Sequence, residues 1–133
     1  MIDSKIIKKE LNTKNVGLTN NYTYKSSLKN STCGDKIKLE LIFKQSKIYL
    51  MKYETEACIY CEASASLLAN KIKNLTKENA IKDLDLLKNM LKTEKNIFPI
   101  KFKEFKKLIN KKNFNRINCI NLPFDAVLKA LQK

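Results

Sequence analysis

Histidine is absent from this chain, and arginine occurs once, at Arg116. Without an imidazole nitrogen, any metal site must be built from thiolate and carboxylate. A single arginine argues against base readout, which relies on guanidinium forks. Single-strand binding leans on aromatics interleaved along a basic groove, and neither signature is read as evident here. Glycine and proline occur twice each, so turns must come mostly from Asn, Ser and Lys. A β-sandwich, which needs many Gly and Pro turns, is thereby disfavoured against a helix-rich fold. No apolar run approaches ~18 residues, so no membrane span is expected. The opening "MIDSKIIKKELN" lacks the apolar core of about seven or more residues that an export signal carries. These absences point to a cytoplasmic, reducing compartment, where four cysteines read as metal ligands or reactive thiols rather than as disulfides.

What is present is apolar and basic. Apolar residues make up 44% of the 133 positions, enough for one hydrophobic core and one domain over residues 1–133. The net charge is +14, and 26 of the 27 basic residues are lysine, in a chain also rich in Asn and Ile. That composition matches the codon bias of an A/T-rich genome spread over solvated faces. No nucleic-acid partner is expected, and an acidic protein partner fits the charge at least as well.

Along the chain the apolar period changes twice. Ile2, Ile6, Ile7 and Leu11 have helical spacing. A polar stretch over residues 12–32 follows, read as a loop with a short strand near Tyr22–Tyr24. Ile37, Leu39, Leu41 and Phe43 alternate with period 2 and mark a strand with one buried face. "KQSK" is a turn, and "KIYLMKYETEAC" supplies one or two further strands, pairing antiparallel. Beyond Cys61 the period is 3.6: Ala65, Leu68, Ala69, Ile72 and Leu75 form one stripe. Thr76 is a candidate N-cap with Glu78 in the first turn, opening a helix that buries Ile81, Leu84, Leu87 and Leu91. Pro99 opens a third helix with Phe102, Phe105 and Ile109 inward, and Pro123 a last one with Phe124, Val127, Leu128 and Leu131 inward. The order is α+β, with helices on one face of a small antiparallel sheet.

The cysteines sit at the junctions of these elements. Cys33-Gly34-Asp35 precedes the first long strand, Cys58 and Cys61 lie between the last strand and a helix, and Cys119 precedes the last helix. Gly34 frees the backbone to aim a thiolate and a carboxylate at one ion. Cys33, Asp35, Cys58 and Cys119 would give zinc three sulfurs and one oxygen. Thiolates equally suit an iron–sulfur cluster, and a four-cysteine site with Cys61 in place of Asp35 is the alternative. The tract "ASAS" after Cys61 would let a helix approach the sheet rim closely. Its first-turn N–H groups favour thiolate, and Ser64 and Ser66 could donate to sulfur.

In that order, "CGDKIKLEL", "ACIYCEASAS" and "INCINLPFDAVLKAL" resemble the iron–sulfur cluster assembly proteins called SufU, IscU and the NifU N-terminal domain. The resemblance extends over about residues 2–132. "LNTKNVG" is similar to their N-terminal loop, with Thr13 where Pro is usual. The resemblance implies an α+β fold with a three-stranded antiparallel sheet. It implies Cys33, Cys58 and Cys119 as functional thiols with Asp35 beside them, and a cysteine desulfurase and apo iron–sulfur acceptor proteins as partners. Asn118, where the IscU branch has His, and the 61 positions between Cys58 and Cys119 place the chain nearer the SufU branch, whose members resemble zinc proteins that take persulfide sulfur. The extra length falls at about Glu78 to Ile109. Arg116 stands where the family carries a basic residue, and its fork is expected to hold Asp35 from outside the ligand set. Ala57 replaces the usual Gly, and Cys61 replaces a small or hydroxyl residue.

Three functions follow as expectations. The first is a zinc-organised sulfur acceptor, at most a sulfurtransferase-type activity, with Cys33 on the loop as the attacking thiol. The second is a scaffold for a labile iron–sulfur cluster, with Asp35 promoting release. The third is only a distant alternative to these, a basic nucleic-acid-binding zinc module using Lys71–Arg116, which has 14 Lys/Arg against five Asp/Glu.

Overall fold

A computed structural model describes residues 15–31, 34–90 and 98–132. The helix expected over residues 2–11, the candidate sulfur acceptor Cys33, and Leu91 lie outside the described residues. Strands β1 (Tyr24–Lys29), β2 (Lys36–Lys44) and β3 (Lys47–Glu56) form an antiparallel sheet in the order β1-β2-β3. The expected short strand near Tyr22–Tyr24 is longer and later, because Tyr24 to Lys29 pair with Leu41 to Lys36, the first two thirds of β2. The segment after "KQSK" is one strand rather than two, paired with β2 through a register shift at Ile42/Phe43.

The period-2 pattern of β2 decides which face is buried. Ile37, Leu39 and Leu41 point into the core, opposite Thr55, Tyr53 and Met51 of β3. Helix α1 (Ile59–Lys71) lies against β3. Helix α3 (Ile117–Leu131) lies across β1 and β2, and α1 and α3 pack on each other. Helix α2 (Lys77–Lys88) closes the outside of α3. The opposite face of the sheet is polar. There Glu40 is buried beneath the preceding loop, its carboxylate accepting from the backbone N–H groups of Thr19 and Asn20, both at 2.8 Å.

The helices begin and end where side chains dictate. Thr76 caps α2, its hydroxyl accepting from Asn79 N–H at 3.2 Å, an interaction of about 1 kcal/mol. Pro99 does stand before a helical segment, but Ile100–Lys107 is a 3₁₀ helix, followed by a second over Lys111–Arg116. Phe102, Phe105 and Ile109 are buried as expected. Phe105 meets Phe124 edge-to-face at 5.2 Å, one of the arrangements that aromatic quadrupoles favour.

Pro123 does not open the last helix. That helix starts six residues earlier, at Ile117, and runs through the proline. Pro123 has no N–H for the carbonyl four residues back, that of Cys119. Burial of Ile120, Leu122, Phe124, Val127 and Leu131 holds the helix together across this position. No helix among the described residues is long and apolar enough to cross a membrane.

Candidate metal centre

Three of the cysteine and carboxylate positions singled out in the sequence converge at one end of the sheet. Asp35 is the residue before β2 and is 4% exposed. It reaches that place through a tight loop. Gly34 takes φ +78°, a left-handed conformation that costs a residue with a Cβ roughly 1 kcal/mol or more. Its N–H donates to the Asn30 carbonyl, and Asn30 N–H donates to the Asp35 carbonyl, each at 2.7 Å. The end of β1 and the start of β2 are thus tied together.

Cys58 is the N-cap of α1, in extended conformation. Its side chain makes no capping hydrogen bond to the helix. Its backbone N–H donates to Asp35 Oδ1 at 3.0 Å. Cys119 is the third residue of α3 and is 4% exposed. A carboxylate oxygen of Asp35 and the sulfurs of Cys58 and Cys119 all lie within 4.8 Å of one another. Donors around one tetrahedral zinc stand about 3.3–3.8 Å apart, given bonds of roughly 2.0–2.3 Å. The cluster therefore needs only a small contraction to close on an ion. Its chemistry fits too, since two soft thiolates and one carboxylate suit zinc, and the thiolates suit iron–sulfur clusters.

The two helices that carry the thiols are locked by the small-residue tract. Ala63, Ser64, Ala65 and Ser66 are all buried, which is what a close helix approach requires. Ser64, which the sequence offered as a donor to sulfur, gives its hydroxyl to a carbonyl instead. Ser64 Oγ donates to the Ile120 carbonyl of α3 at 2.7 Å, fully buried, and Ser66 hydrogen-bonds the Tyr53 side chain of β3. Each hydroxyl sits where a polar group must find a partner or cost about 1–3 kcal/mol. The first clamp is one residue from Cys119, so the α1–α3 contact positions the donor set directly.

Cys61 is not part of the three-donor cluster. It is the third residue of α1 rather than a junction residue and is 0% exposed, whereas Cys58 is half-buried. It faces the core near Tyr53, whose phenol is pushed to a higher pKa chiefly by burial and further by the nearby Glu62 and Cys61; the Ser66 hydrogen bond works against this. Arg116 also differs from expectation. A fork onto Asp35 is not among the ion pairs of the described residues, which are Lys36–Glu56, Lys71–Glu104 and Lys88–Asp125. The guanidinium instead lies over the Tyr60 ring, 5.4 Å from its centroid, a cation–π contact that pins the N-terminus of α3 to the first turn of α1.

A cleft of about 840 Å³ opens on the other side of α3, lined among others by Asn30, Phe114, Asn118 and Asp125. Phe114 is 65% exposed there. Sequence reasoning missed both the cleft and Phe114. The one signal was an aromatic set among the basic and Asn residues of "NKKNFNRINC", where nothing apolar stands on either side.

The sequence matches the family described as NifU-like N terminal domain over residues 1–133. It is 28% identical over 123 residues to the protein of Bacillus subtilis (strain 168) called zinc-dependent sulfurtransferase SufU, covering 92% of this chain and 83% of that one. It is 28% identical over 107 residues to the iron-sulfur cluster assembly scaffold protein IscU of Streptococcus pyogenes serotype M1, covering 80% and 67%. The fold superposes at TM-score 0.85 on a putative iron-sulfur cluster assembly scaffold protein for the SUF system from Fervidobacterium islandicum AW-1, at 26% identity over 98% of this chain and 97% of that one. A NifU-like N-terminal protein from Brucella abortus superposes equally well, at TM-score 0.85 and 20% identity over 98% and 91%.

Proposed function

The chain belongs to the NifU-like N-terminal domain family of iron–sulfur cluster assembly proteins, and on that premise we propose that it is a zinc-organised acceptor of persulfide sulfur from a cysteine desulfurase, acting in the cytoplasm. The single observation that carries this reading is the Asp35, Cys58 and Cys119 cluster, with its donor atoms within 4.8 Å of one another. Cys33 supplies the remaining thiol. It is two residues from Asp35, so their Cα atoms are at most about 7 Å apart. When bound, zinc keeps its ligand thiols as thiolates near neutral pH.

The residues then divide the work. Asp35, held by the Cys58 N–H, keeps one oxygen turned to the thiols. Cys58 and Cys119 are fixed on packed helices. Cys33 attacks the outer sulfur of the desulfurase persulfide: the donor's S–S bond breaks, the donor cysteine leaves as thiolate, and a new S–S bond forms on Cys33. Lys106, Lys107, Lys111 and Lys112 lie on the two 3₁₀ segments that lead into α3. They would steer this end of the protein onto an acidic patch of the desulfurase. The assembled sulfur passes to apo iron–sulfur acceptor proteins.

The test is sulfur transfer from a cysteine desulfurase charged with labelled cysteine. Cys33→Ser should lose the label, and charge reversal at the four lysines should slow transfer at low salt only. Wild-type labelling in Cys33→Ser would overturn the assignment. A second reading, a scaffold for a labile iron–sulfur cluster on the same thiols, is supported by a donor set that suits iron as well as zinc and by the relative named as a scaffold. Anaerobic reconstitution with iron and sulfide separates the two.

A further inference from the structure

We propose that Cys58 and Cys61 form a dithiol–disulfide couple that releases sulfur held on Cys58 as free sulfide. The inference rests on the reading of the chain as a persulfide acceptor, with Cys58 attacking the outer sulfur of a Cys33 persulfide and Cys33 leaving as thiolate, and it assigns a task to Cys61, which lies outside the three-donor cluster of the described residues.

Position comes first. Cys58 is the N-cap of α1 and Cys61 is its third residue; the first helical bond, Glu62 N–H to the Cys58 carbonyl at 3.1 Å, fixes the turn between them. Three residues along a helix place Cα atoms about 5 Å apart, inside the range of about 4.4–6.8 Å that a disulfide accepts. An N-cap side chain in extended conformation lies beside the third residue of its helix, where hydroxyl caps find their donor. Cys58 has the extended conformation and makes no capping hydrogen bond, so its sulfur can turn toward residue 61 without breaking a cap.

Exposure gives the couple a direction. Cys58 is half-buried, while Cys61 is 0% exposed behind it. An external sulfur donor reaches the front thiol and not the rear one. Once sulfur rests on Cys58 as a persulfide, the Cys61 sulfur attacks Cys58 Sγ. The Cys58–Cys61 bond forms, the bond from Cys58 Sγ to the outer sulfur breaks, and the outer sulfur leaves as hydrosulfide with the electron pair and the proton of the Cys61 thiol. The outer sulfur is reduced and the two cysteine sulfurs are oxidised. A protein or small-molecule dithiol reductant then restores the pair. Oxidation also withdraws Cys58 from the Asp35–Cys119 cluster, so release of sulfide and release of metal are linked.

The experiment loads the full chain with sulfur from inorganic polysulfide under anaerobic conditions, removes excess donor, and follows sulfide by gas-phase trapping and disulfides by peptide mass mapping. Wild type should release about one sulfide per chain and acquire a Cys58–Cys61 disulfide. Cys61→Ala and the near-isosteric Cys61→Ser should keep the sulfur as a Cys58 persulfide, with sulfide release slowed about tenfold or more; circular dichroism checks that both are folded. Equal release from the variants, or a disulfide joining other cysteines, would overturn the inference alone. Failure of every variant and of wild type to take up any sulfur would overturn the acceptor reading and this inference with it.

Discussion

The backbone N–H of Cys58 donates to Oδ1 of Asp35 across 3.0 Å, joining residues 23 positions apart. One carboxylate thereby does two things. It anchors the start of α1 to the start of β2, and it stands within 4.8 Å of two thiol sulfurs. The structural and chemical roles can be separated by changing charge without changing shape.

Asp35→Asn keeps an oxygen that can accept from Cys58 but removes the negative charge. We expect a folded protein whose zinc affinity falls roughly 10–100-fold, the range seen when groups that set a metal site's charge and orientation are altered. Competition against a chromophoric chelator measures it. An unchanged affinity would show that Asp35 serves only the fold.

Ser64→Ala should remove the buried clamp between α1 and the Ile120 carbonyl. Loss of this buried hydrogen bond and the small void left should cost about 1 kcal/mol in urea unfolding. Zinc affinity should fall with it, because Cys119 is one residue from the clamp. A change in stability with no change in affinity would mean that the α1–α3 contact does not position the thiols.

The β2–β3 hairpin turns on Gln45 and Ser46, with φ of 53° and 65°. Both sit in the left-handed region that a two-residue turn of this hand demands and that Asn-Gly prefers. Replacing Gln45 by Asn and Ser46 by Gly should raise stability by about 1 kcal/mol, read as a higher unfolding midpoint with an unchanged slope. A lower midpoint would locate the strain elsewhere.

Burial raises the pKa of Tyr53 above its ordinary value of 10.0. Below that value the phenol is protonated in both folded and unfolded chains, and its contribution to stability is complete. Above it the unfolded chain loses the proton first, so the contribution declines as pH rises through the folded value. Tyr53→Phe should cost about 1 kcal/mol near neutral pH through loss of its contact with Ser66, and the difference from wild type should hold up to the ordinary value of 10.0 and shrink only as pH rises above it. A constant difference would contradict the burial assigned to the hydroxyl.

Much of this arrangement was legible in the residues. The alternation Ile37-Leu39-Leu41 and the 3.6 stripe through Leu68 and Ile72 identified a half-buried strand and a buried helix, because side-chain periodicity directly reports one-sided burial. Thr76 announced its helix by a capping side chain. Cys58, Asp35 and Cys119 could be nominated together as residues near element boundaries, although Cys119 lies inside α3 as its third residue rather than before the helix, which already starts at Ile117. What could not be read was set by tertiary packing. Pro123 is an excellent first helical residue in isolation, yet the apolar run from Ile120 carries the helix past it. Arg116 is as long as the reach to Asp35 requires, but Tyr60 offers it a ring face, and nothing in the sequence ranks those two partners. The serines of "ASAS" were correctly placed near the thiols, but their hydrogen bonds go to carbonyl and phenol oxygens that only the packed helices bring near.

The central claim is that the thiol cluster holds zinc and takes up sulfur. The most direct measurement is metal and acid-labile sulfide in protein purified without oxygen and without added metal. The account predicts one zinc per chain and no labile sulfide, with Asp35→Ala losing the metal and Cys61→Ala retaining it. Iron with a matching amount of sulfide would contradict it, and the thiols would then belong to a cluster scaffold.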